Sequence, residues 1–149
     1  MLVGHGRLVG YSERSSARVA RGMRLLCSNR HKKTGCGRTS SVWIAAVVPR
    51  AVVRARTIFG FLSAIATGLP SARAWRQASS MSVRTGYRVA TKMALAGPGI
   101  RTALLSRAPP PPVESASHHA QLLAHLRLVL GPVESLSAYQ LAFQRSLFD

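Results

Sequence analysis

A chain of 149 residues has room for one modest domain, or for a compact core with looser ends. Its 21 Lys and Arg against four Asp and Glu give a net charge of +17. Such a chain repels itself unless a polyanion lies against it, so nucleic acid is the first partner to consider and an anionic membrane the second. Two cysteines are too few for a disulfide framework, and an aromatic content of 6% leaves the core to Leu, Val and Ala.

The charge is unevenly placed. Residues 1–107 hold 19 cations and one acid, Glu13, whereas residues 108–149 hold Arg127 and Arg145 against Glu114, Glu134 and Asp149. The binding surface therefore belongs to the first part. All but three of the cations are Arg, whose planar fork suits phosphate and guanine edges. A decayed reading frame in GC-rich DNA gives a similar composition, so a non-functional remnant stands beside the functional readings.

In chain order, residues 1–41 are polar, contain glycine and carry little periodicity, so a loose basic segment is expected. The first 25 residues have no apolar run of the secretory kind; the Arg- and Ser-rich, acid-poor N-terminus also fits an organellar transit peptide. Residues 42–107 read as helices. Pro49 sits near a helix start, and Val52, Ala55, Phe59, Leu62 and Ala66 form one apolar face, with Arg50, Arg54 and Thr57 off it. The uncharged stretch from Thr57 to Ala72 is 16 residues, short of the roughly 20 that span a bilayer. Gly68 supplies a stop and Pro70 a restart. A short helix over 71–78 would bury Ala74, Trp75 and Ala78. After a tight turn, Ser82 is placed to cap a third helix running to about Ala96, where Gly97-Pro98-Gly99 ends it. Its buried side would be Val83, Tyr87, Ala90 and Ala94. Residues 108–114 are a proline-rich spacer. Residues 115–149 form a helical pair with stripes at Leu122, Leu123, Leu126, Val129 and Leu130, then Leu136, Tyr139, Phe143 and Leu147. These stripes would either join the core or pair two copies into a homodimer. The predicted fold is all-α, centred on a helix-turn-helix.

Two helices joined by a short turn, the second lined with cations, suit duplex DNA. Arg84 and Arg88 would reach guanine edges or flanking phosphates, Thr85 a thymine methyl, and Lys92 the backbone. Arg73 and Arg76 on the preceding helix suit phosphates across the groove. The run from Ala74-Trp75 through Ser80-Met81-Ser82 to Thr85-Gly86-Tyr87-Arg88 resembles the helix-turn-helix of transposases and resolvases. It departs from that pattern with Ser80 at the usual glycine and with Gly86 inside the recognition helix, where glycine costs about 1 kcal/mol relative to Ala.

Cys27, His31 and Cys36, followed by Gly37-Arg38-Thr39-Ser40, resemble the distal half of the zinc ribbon in transposase-like proteins. A structural zinc takes four ligands; these residues offer three, with His5 a remote fourth, and the upstream Cys-x-x-Cys is missing. The resemblance, spanning about residues 27–148, thus implies a truncated or decayed copy in which zinc is the one conditional cofactor. Without zinc, the two thiols lie in a basic loop beside Lys32 and Lys33.

Catalysis is not expected. Two-metal strand transfer needs about three converging carboxylates, and Glu13, Glu114, Glu134 and Asp149 are dispersed along the chain. His118, His119 and His125 read as surface histidines without acid or thiol partners, and no phosphate-binding loop or small-molecule site is apparent. The expected function is double-stranded DNA binding in the cytoplasm, at the nucleoid in a bacterium. The rival is a basic module that docks on an acidic protein or an anionic membrane.

Overall fold

A computed structural model of the chain describes residues 1–13, 15, 17–28, 34–49, 51–114 and 117–148. Within them, strands β1 (Leu2–Tyr11), β2 (Arg18–Cys27) and β3 (Thr39–Trp43) form an antiparallel sheet in that spatial order. Helices α1 (Ala55–Ala66), α2 (Ser71–Ala78), α3 (Val83–Leu105), α4 (His118–Leu130) and α5 (Ser135–Phe143) follow.

The fold is therefore mixed α/β, which corrects the all-α expectation and the loose N-terminus. β1 pairs with β2 from Leu2↔Cys27 to Tyr11↔Arg18, but the register shifts between Gly4 and Arg7 and again between Leu8 and Val9. Each shift breaks the two-residue alternation by which a strand is recognised. Gly6 takes φ +113° at the first of them. At Gly22 a Cβ would lie 2.1 Å from the Val42 carbonyl oxygen, so only glycine lets β3 close against β2 there.

No strand side chain enters the hydrophobic core, which is built from residues between Val48 and Phe148. One tie between the two parts is Glu13, in the β1–β2 connection. Its carboxylate accepts the Arg54 backbone N–H and the Thr57 hydroxyl, the latter at 2.9 Å. Arg54 is the N-cap residue of α1, whose first turn has no acid of its own. Glu13 therefore places an anion at the positive end of that helix from 41 residues away. Thr57, expected off the apolar face, is buried by this contact. Arg21 is also buried near Glu13; desolvation lowers its pKa, and the Glu13 charge opposes that shift.

α2 falls at the expected place, with Gly68 at φ +91° between it and α1. The first helix starts at Ala55 rather than near Pro49, because Val47 and Arg54 form a bridge that holds the preceding turn. Trp75 is fully buried, with its ring edge-on to Phe61 at 5.1 Å and 88°. Against that ring lies Gly86, where a Cβ would come within 2.5 Å of Trp75 Cγ. The glycine that looked costly for a recognition helix is what lets α2 and α3 meet.

The end expected for α3 near Ala96 is corrected: the helix runs through Gly97-Pro98-Gly99 to Leu105. Val89, Met93, Ile100 and Leu104 are all buried on it, so core burial on both sides of Pro98 outweighs the roughly 3 kcal/mol a mid-helix proline costs. Its buried face is also not the expected one. Tyr87 is 55% exposed, while Gly86, Val89 and Met93 face inward, because the Trp75–Gly86 contact sets the helix's rotation.

The tail packs into the same core. Leu122, Leu123 and Leu126 of α4, with Leu136, Tyr139 and Leu147, are buried within this one chain. His125, expected at the surface, is buried, and its Nε2–H donates to the Ala108 carbonyl at 2.9 Å. Gln140 of α5 donates to the carbonyls of Ala45 and Val47 at 2.6 and 3.0 Å, clamping the segment that joins β3 to α1.

Two pairs of variants check these contacts by urea unfolding. Gly86→Ala should destabilise the protein by about 1–3 kcal/mol through overpacking against Trp75. Gly60→Ala, where a Cβ meets nothing within 4 Å, should stabilise it by up to about 1 kcal/mol. Equal effects of the two would contradict the packing. Glu13→Ala should cost about 1 kcal/mol as a lost helix cap, and Glu13→Gln less; no loss from Glu13→Ala would remove the tie.

Candidate nucleic-acid interface

The turn between α2 and α3 is held by its own backbone and by Trp75. The Ser79 N–H returns to the Trp75 carbonyl at 2.8 Å, and the Met81 N–H donates to Ser79 Oγ at 3.2 Å. The Trp75 indole Nε1–H reaches over the turn to the Met81 carbonyl at 3.1 Å. Ser82 occupies the N-cap position expected of it. Its hydroxyl, however, lies 3.1 Å from that of Thr85 and makes no side-chain cap, whereas its carbonyl accepts the Thr85 N–H at 2.9 Å.

Every cation expected to contact DNA is exposed: Arg73 and Arg76 on α2, and Arg84, Arg88 and Lys92 on α3. Residues four apart on a helix drift by about 40°, so Arg84, Arg88 and Lys92 lie within an arc of roughly 80°. Thr85 is half-buried beside them. Lys92 has a neighbour of its own, with Nζ 5.2 Å from the centroid of the Phe148 ring. Arg84 and Arg88 have no hydrogen-bond or charge partner among the described residues. The described carboxylates, Glu13, Glu114 and Glu134, all lie off α2 and α3. A ridge of guanidinium groups on a helix can hold phosphates or fork onto base edges.

The two cysteines of the metal motif come together where β2 and β3 meet. The Cys36 N–H points at Cys27 Sγ at 3.4 Å, the Cys27 N–H donates to the Arg38 carbonyl at 2.8 Å, and the Gly37 N–H donates to the Cys27 carbonyl at 2.9 Å. Both are free thiols. His31, with Lys32 and Lys33, lies outside the described residues, and His5 belongs to β1. Among the described residues no three metal-ligating side chains gather; of the three expected ligands they include the two thiols, where a structural zinc takes four donors.

Of the acids, Glu13 is engaged at the start of α1, while Glu114 and Glu134 are exposed and Asp149 lies outside the described residues. No described helix is long and apolar enough to cross a membrane. Sequence reasoning did not find the role of Glu13; its isolation as the one acid among 19 cations in residues 1–107 was the available signal.

The Cys36 backbone N–H, with its side chain adding to the effect, holds the Cys27 thiol below its ordinary pKa. Because the thiolate is the nucleophile, iodoacetamide at neutral pH should alkylate Cys27 faster than the more exposed Cys36. Peptide mass mapping over time reads the two rates, and a faster Cys36 would contradict the hydrogen bond.

No protein-family model matches the chain, and neither the curated proteins nor the solved structures contain a significant match to it.

Proposed function

We propose that the chain binds double-stranded DNA through the α2–turn–α3 unit and carries out no chemistry on it. The observation that supports this most is the pair Arg84 and Arg88, exposed one turn apart near the start of α3 with no partner among the described residues. On this reading the first turns of α3 enter the major groove. Arg84 and Arg88 address guanine edges or the adjoining phosphates, and Thr85 meets a thymine methyl. Arg73, Arg76 and Lys92 hold the backbone and set the register. The resemblance of residues 74–88 to a transposase helix-turn-helix fits the recognition part of such a protein, which would compete with a full enzyme for the ends of a mobile element. Cytoplasmic DNA, the nucleoid in a bacterium, is the corresponding location. A homodimer would have to use outer residues such as Leu128 and Leu141, since the inner stripes of α4 and α5 are buried.

One observation favours a second reading. Leu2, Val9, Tyr11, Met23 and Val42 of the sheet are exposed, as are Arg7, Arg18 and Arg38 around them, a combination suited to an acidic protein or an anionic lipid surface.

Fluorescence anisotropy with specific and scrambled duplexes across a salt series separates the two. DNA binding should weaken steeply and linearly in log–log form as salt rises. Arg84→Ala with Arg88→Ala should lower affinity for the preferred duplex at least about tenfold with the circular dichroism spectrum unchanged. Undiminished affinity in the folded double variant, or anionic-liposome binding that duplex does not compete away, would reject the groove assignment.

A further inference from the structure

A cleft of about 680 Å³ opens beside the helix-turn-helix, between the first turn of α1, the end of α2 and the turn that leads into α3. Two guanidinium-bearing residues from separate helices, Arg56 and Arg76, line it. Both are exposed, and neither has a carboxylate partner among the described residues. Like charges brought to one concavity repel, and in a protein of net charge +17 no surplus of acid relieves them.

The one acid in the lining, Glu13, offsets only one of the two cations, and its hydrogen bonds are made elsewhere. One carboxylate oxygen accepts the Arg54 N–H and the other the Thr57 hydroxyl, so both are directed at the start of α1. The remaining polar side chains of the lining include Gln77, Ser79 and Ser80, each with a donor to offer. Ser79 Oγ already accepts the Met81 N–H, which leaves its own proton available, and Ser80 beside it is exposed. Two cations with hydroxyl donors around one concave surface suit an oxyanion in their chemistry, since arginine binds phosphate with two parallel hydrogen bonds.

We propose that this cleft holds a backbone phosphate of the duplex, with Arg56 of α1 acting with Arg76 as a clamp outside the helix-turn-helix itself. The proposal rests on the groove-binding reading of α3. It adds that α1, which has no part in the sequence motif, contributes a contact indifferent to base identity. The turn residues Ser79 and Ser80 form one wall of the cleft, three residues before α3 begins at Val83. A phosphate held there would therefore fix the depth at which α3 can sit.

The test compares Arg56→Ala and Arg56→Lys with the Arg84→Ala, Arg88→Ala double variant in the full chain, using specific and scrambled duplexes across salt. Arg56→Ala should weaken binding to both duplexes by a similar factor and lower the log–log salt slope by about one. Arg56→Lys should restore the slope but not the full affinity, since an ammonium lacks the fork. The double variant should instead reduce the preference between duplexes. If Arg56→Ala leaves slope and affinity untouched while the double variant loses binding, the clamp is overturned and the groove reading stands. If neither set changes binding, both fall together. A thermal shift with inorganic phosphate that depends on Arg56, alongside unchanged duplex binding, would make the cleft a site for free anions and likewise overturn the clamp.

Discussion

The arrangement of the helical body depends on the seating of Trp75 against Gly86. The indole is fully buried, meets Phe61 of α1 edge-on, caps the turn through the Met81 carbonyl and occupies the space a side chain at Gly86 would take. One side chain therefore fixes α1, α2, the turn and the rotation of α3 together. That rotation turns Val89 and Met93 inward and leaves Arg84, Arg88 and Lys92 in solvent. Any function assigned to the cationic ridge is a consequence of where this one ring sits.

Charge supplies the second constraint. Of the four acids in the chain, Glu13 serves as a remote cap for α1. The hydrogen bonds from Gln140 to the segment before α1 secure the same junction from the C-terminal side. The sheet stands outside the core and, among the described residues, is attached by few polar contacts. Its position relative to the helices is therefore expected to be the softest feature of the fold, because few buried apolar contacts oppose local opening.

The helices were legible to the extent that local signals governed them. Residues 71–78 read as a helix from the Gly68 and Pro70 punctuation, and the stripe of Leu122, Leu123 and Leu126 ends at Gly131 as its spacing implied. What was not legible came from contacts distant in sequence. Two register shifts hid the period of β1. Trp75 displaced Tyr87 from the buried face of α3, and burial of Ile100 and Leu104 carried that helix past Pro98. His125 became a core residue through a carbonyl 17 positions away. At the candidate site the identity of the exposed cations was readable, since charge and helical spacing are local. The meaning of Gly86 was not, because glycine inside a helix is a defect until the partner ring is known.

An NMR titration of the isotope-labelled chain with duplex DNA tests groove binding by the start of α3 residue by residue. Amide shifts should concentrate at Arg84–Arg88 and around Arg73 and Arg76, with the Trp75 indole signal retaining its buried position. Shifts confined to β1–β3, with the first turns of α3 unaffected, would contradict it.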